Sequence, residues 1–164
     1  MANSLVLTIC AHDRPGVMKL ISKTITDSDG NWLESRMARL GGQFAGIVRV
    51  ECNEDKSAQL CKNLEALSTE GISVQIHDQG DFSDYPYTRC LRLDIYGNDR
   101  PGIVSQLTQA ISNAGANIEE LNTSIESAAM AGHSIFHASG TVCVPDSTDE
   151  NELISAVEAL SDDL

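Results

Sequence analysis

Basic residues are scarce in this chain: 11 Lys and Arg stand against 24 Asp and Glu, a formal net charge of −13. No run of Lys or Arg relieves that imbalance, so direct binding to nucleic acid or an anionic membrane surface is not expected. Aromatics make up only 4% of residues, which leaves little for stacking on bases. No apolar stretch approaches the ~20 residues of a membrane span. The opening MANSLVLTIC lacks the basic leader and the long apolar run of a signal peptide. The five cysteines, Cys10, Cys52, Cys61, Cys90 and Cys143, are widely spaced and form no C-x-x-C pair. That pattern offers no zinc-holding or exchange pair, and predicts buried free thiols in a reducing, cytoplasmic compartment.

What is present is a repeat. The string Asp-Arg-Pro-Gly occurs at 13–16 and again at 99–102. Superposing the copies pairs Leu5, Leu7 and Ile9 with Leu91, Leu93 and Ile95. It also pairs Val17, Ile21 and Ile25 with Ile103, Leu107 and Ile111, and Asn31 with Asn117. Two homologous halves follow, each near the lower size limit for an independent core. The boundaries fall at 1–79 for the first, 80–87 for a linker and 88–164 for the second.

Residues 4–10 alternate as a half-buried strand, and Val17, Leu20, Ile21, Thr24 and Ile25 keep the spacing of one helical stripe that ends near Gly30. Segments 31–40 and 43–52 read as a hairpin about Gly41-Gly42. A helix over 55–69, stopped by Gly71, and a strand over 72–78 complete a β-α-β-β-α-β order. The second half repeats it with a strand at 88–96, a helix at 102–114, a hairpin at 116–126 and 133–144 joined through SAAMAG, and a helix at 149–160. Only Ser161 to Leu164 then remain, too few for a turn and a final strand. The fold class is therefore α+β: two ferredoxin-like βαββαβ modules, the second lacking its last strand.

The repeated string carries the candidate chemistry. Asp is a good helix cap, Pro suits the first helical turn, and Gly leaves the backbone uncovered. Backbone N–H groups at an open helix start, backed by the dipole, suit a small carboxylate. Gly16 with Val17 and Gly102 with Ile103 would supply them. Asn31 or Asn117, entering the next strand, would accept from an α-ammonium, with Asp13 or Asp99 adding charge. His12 stands where the second copy has Asn98, so the two pockets differ.

Other pairings are weaker. His133 and His137 are four apart on a strand pattern, about 13 Å, too far for one metal. Cys10 and His12 lack an orienting third group, and a buried cysteine beside a loop histidine accounts for them. No nucleophile elbow or other catalytic spacing appears, so enzymatic activity is not expected.

With the D-R-P-G string between the first strand and first helix, the chain resembles a pair of ACT domains, small regulatory modules that bind amino acids. Its length and tandem arrangement are similar to the glycine cleavage system transcriptional repressor group. The resemblance implies ligand binding at the loop and the start of the second strand, hence at Asp13, Arg14, Gly16, Val17, Asn31, Asp99, Arg100, Gly102, Ile103 and Asn117. It implies no cofactor and no enzymatic step, but a regulator of transcription that senses a small amino acid, glycine first, and acts on an activator protein instead of on DNA. The other reading of the same residues is an interaction module with vestigial ligand loops. The missing last strand adds an expectation: the open edge at 88–96 is covered by a second copy, giving a homodimer, or by the first half.

Overall fold

The computed structural model describes residues 1–78, 87–127, 130 and 132–162. The chain divides into two compact units, Met1–Phe82 and Ser83–Leu164. Most of the expected linker, much of SAAMAG and the last two residues lie outside the described residues. Tyr87, assigned to the linker from sequence, opens a strand.

In the first unit, strand β1 (Ala2–His12) leads into helix α1 (Val17–Asp27). Strands β2 (Asn31–Leu40) and β3 (Gln43–Asn53), helix α2 (Glu54–Glu65) with a 3-10 turn at Ala66–Glu70, and β4 (Ile72–Asp78) follow. The sheet order is β2-β3-β1-β4, antiparallel at every contact. The two-residue period puts Leu5, Leu7, Ile9 and Ala11 on one face, with Val48 and Val50 opposite. Ile21, Ile25, Leu60 and Leu64 pack onto them from the helices. Removing a buried leucine or isoleucine of this kind from water is worth about 1.5–3 kcal/mol.

The second unit repeats the plan with β5 (Tyr87–Asn98), α3 (Ile103–Asn113), β6 (Asn117–Ser127), β7 (Ser134–Pro145) and α4 (Glu150–Asp162). Its sheet has three strands among the described residues, ordered β5-β7-β6, without a counterpart of β4. Leu93, Ile95, Leu107, Ile111, Val142 and Leu153 form its core. Asp149 caps α4 through its carboxylate, which accepts the Asn151 N–H at 2.9 Å.

The repeat extends to irregular features. A β-bulge interrupts β2 between Trp32 and Glu34 and β6 between Ile118 and Glu120, so Leu33 and Glu119 hold equivalent places. Both first helices end in the same backbone wrap: Gly30 N–H reaches Ile25 C=O at 2.8 Å, and Ala116 N–H reaches Ile111 C=O at 3.1 Å. The left-handed residue each wrap requires is Asp29 (φ 57°) in the first unit and Gly115 (φ 78°) in the second.

Candidate functional site

The Asp-Arg-Pro-Gly loops join the end of β1 or β5 to the helix that follows. Gly16 has φ 90° and ψ −3°, and Gly102 has φ 86° and ψ 1°. Those values, with Pro just before, are the third position of a type II turn, in which only glycine sits without strain. In the second loop Ile103 N–H closes the turn on Arg100 C=O at 3.3 Å. Expectations for Asp and Pro are corrected accordingly. Glycine, not Asp, is the cap residue, and Pro15 and Pro101 lie ahead of the helix instead of in its first turn. Neither helix start has a side-chain cap, and a Cβ at either glycine would meet nothing within 4 Å.

Asp13 serves the scaffold. Its carboxylate meets Arg39 at 3.1 Å and its N–H donates to Gly42 C=O at 2.9 Å, tying the loop to the β2–β3 hairpin. Asp99 N–H makes the matching bond to Ser134 C=O at 3.0 Å. Val17 and Ile103 bury their side chains in the two cores, and the N–H of Ile103 is engaged in the turn.

The two arginines diverge. Arg14 donates to the carbonyl of Glu70 at the end of the 3-10 turn. Arg100 has a buried Nε without a hydrogen-bond partner among the described residues. It borders a cleft of about 410 Å³ lined by Gln106, Gln109, Ala110, Asn113 and Leu160. A guanidinium flanked by side-chain amides suits a carboxylate, with the amides offering both donors and acceptors.

The asparagines do not join these loops within a module. Asn31 pairs with Glu51, which pairs in turn with Ser4, whereas the loop leaves from His12. Eight residues of strand separate the two levels, about 26 Å. Asn117 is likewise level with Cys90 through Cys143, while the second loop follows Asn98. The sequence suggested that the asparagine lies beside the loop. Helix α1 instead carries the chain back to the opposite end of the sheet before β2 begins.

Models of the ACT domain match residues 3–77 and 89–162. The chain belongs to the ACT domain family. Among solved structures, an unknown protein from Galdieria sulphuraria is 29% identical, with a TM-score of 0.83 over 100% of this chain and 94% of that one. A provisionally assigned glycine cleavage system transcriptional repressor is 17% identical, with a TM-score of 0.69 over 98% of this chain and 91% of that one. At that identity the second likeness speaks for fold alone. No curated protein matches the chain. Two tandem ACT modules support a regulatory role in sensing a small ligand. No helix among the described residues is long and apolar enough to cross a membrane.

The second ACT module also holds a constellation that sequence reading missed. Cys90 lies directly opposite Cys143 on neighbouring strands, and a disulfide joins them. The bulge turns Glu119 toward the pair, with Oε2 3.1 Å from the Cys143 sulfur. The expectation of five buried free thiols is corrected here, and again at Cys10, which is exposed; Cys52 is buried and Cys61 half-buried. The legible signal was positional. Cys90 is near the start of β5 and Cys143 near the end of β7, and antiparallel neighbours bring a start against an end. The two cysteines and Glu119 place ligand atoms within 4.8 Å of one another, but disulfide sulfurs have no thiolate to give a metal. On the same face His137 stacks on Tyr96 at 4.2 Å and meets Asp94 at 2.6 Å.

Proposed function

We propose that this ACT-domain protein is a non-enzymatic regulator that senses a small amino acid, with glycine the first candidate, and passes its state to a transcriptional activator by protein contact. The observation that carries the reading is Arg100, a guanidinium with an unpartnered buried Nε beside an amide-lined cleft and an uncapped helix start. The ligand carboxylate is assigned to Arg100 and the Gly102 end of α3, with Asp99 contributing charge toward the ammonium. Asn31 and Asn117, each about 26 Å from its own loop, stand outside this arrangement. In the first loop Arg14 is engaged by Glu70, which favours a structural part for Asp13, Arg14 and Gly16. Ligand shifts the conformational equilibrium only by its differential affinity for the two states.

Calorimetric titration with glycine, serine and alanine, against tryptophan as the bulky control, tests the reading. Saturable heat is expected from a small amino acid, lost in Arg100→Met and retained in Arg14→Met. No heat from any amino acid at millimolar concentration would leave an interaction module with vestigial loops. With a net charge of −13, the purified protein should not shift operator DNA without its activator, and a salt-sensitive complex formed alone would overturn that part.

A further inference from the structure

Three equivalent places carry different chemistry in the two modules. In the first, Ser4 pairs with Glu51 and Leu33 occupies the bulge of β2. In the second, the residues at those places are Cys90, Cys143 and Glu119. The first module builds the same strands and the same bulge without them, so the fold does not require these side chains. Their ligand atoms lie within 4.8 Å of one another. Glu119 Oε2 is 3.1 Å from the Cys143 sulfur and 3.8 Å from the Cys90 sulfur. Cys143 is only 1% exposed, whereas Cys90 and Glu119 open to solvent and give a path of entry. Each residue comes from a different strand, so no short spacing marks the group in the sequence.

We propose that, once the disulfide is reduced, Cys90, Cys143 and Glu119 bind a thiophilic divalent cation of the zinc class. A dithiol reductant closes its own disulfide as Cys90 and Cys143 take up two electrons and two protons. The cation then displaces the two thiol protons to solvent and binds two thiolates and the carboxylate. Tetrahedral ligands at zinc distances of about 2.0–2.3 Å stand about 3.3–3.8 Å apart. The Glu119 oxygen already keeps close to that spacing from both sulfurs, and cleavage of the S–S bond lets the sulfurs separate to match it. Two thiolates and a carboxylate gathered this closely repel one another, and no ion pair among the described residues neutralises Glu119. A bound cation relieves that repulsion. Two sulfur ligands select zinc over magnesium or calcium, and three protein ligands leave the fourth position to water. Oxidation reforms the disulfide and expels the cation, so the site fills only under reducing conditions.

Cobalt(II) titration of the full chain, reduced with a phosphine and desalted without oxygen, tests the site. One cobalt per chain is expected, with a thiolate charge-transfer band and the visible bands of tetrahedral coordination, all displaced by zinc. The disulfide form should show none of this. Cys90→Ser and Cys143→Ser should each remove tight binding, while Cys10→Ser and Cys61→Ser should leave it intact. Glu119→Gln should weaken it by more than the roughly tenfold loss that follows removal of an outer partner. That variant alters an exposed side chain outside the core, so it decides the matter even where a cysteine variant unfolds. Bands missing from the reduced chain, present in the disulfide form, or indifferent to Cys90→Ser or Glu119→Gln overturn the proposal.

Discussion

Alanine at Gly16 or Gly102 separates backbone geometry from everything else those glycines do. At φ of 90° and 86°, an L-residue costs about 1–2 kcal/mol. No overlap adds to this, because a Cβ at either site meets no heavy atom within 4 Å. Alanine also narrows the unfolded ensemble, which offsets about 0.4–1 kcal/mol of the cost. The net expectation is a loss of roughly 1 kcal/mol per site, which lowers the melting temperature of a module this size by about 4–8 °C. Urea unfolding reads it directly as a lower midpoint at unchanged slope. D-Alanine introduced by semisynthesis prefers positive φ and should recover the loss. A cost above about 3 kcal/mol would mean that the site is packed, and no cost that the left-handed conformation is not adopted; either refutes the reasoning. Gly102→Ala should in addition weaken amino-acid binding, because its methyl group enters the open approach to α3.

Asp29→Gly should stabilise the first module by up to about 1 kcal/mol, measured by urea unfolding, because Asp29 holds the left-handed place that Gly115 fills in the second. The exposed Asp29–Lys56 pair at 3.7 Å reduces that gain only slightly. Reducing Cys90–Cys143, which spans 53 residues, should destabilise the second module by at most about 4 kcal/mol, with Cys143→Ser reproducing the effect without reductant. Burial raises the Cys52 thiol above its ordinary 9.0, helped by Asp55 and Glu51 against a bond from Ser57. The folded form therefore keeps its proton longer. The contribution is whole below about pH 9 and is lost as pH rises through the folded value. Cys52→Ala should flatten that alkaline decline in stability.

The fold was legible because its signals are local. Alternation at Leu5, Leu7 and Ile9 and the helical stripe at Val17, Ile21 and Ile25 need only short windows. The repeated string then supplied a second reading of each element. The pairing of Cys90 with Cys143 was half legible: their places near the start of β5 and the end of β7 bring them to one end of the sheet, but the register that makes them direct partners is set across 53 residues. The bulge that aims Glu119 was not legible, since nothing in Ile118-Glu119-Glu120 marks an extra residue. Asn31 was misplaced for a topological reason: proximity to the loop in sequence means little when an intervening helix returns the chain to the far end of the sheet. The helix-start glycines were found, but for access to a ligand; the type II turn supplies a prior and sufficient cause.

The position of β4 has a consequence for synthesis. Strand β1 is made first, yet its second neighbour begins only at Ile72. Through most of its translation the first module therefore exposes a half-paired β1 over an apolar trough. Domains fold as units from the N-terminal side as the chain emerges, so Ile72, Val74 and Ile76 act as a late latch. Once they emerge, β1 is paired on both sides and is no longer itself an edge on which a nascent neighbour on the same message can pair.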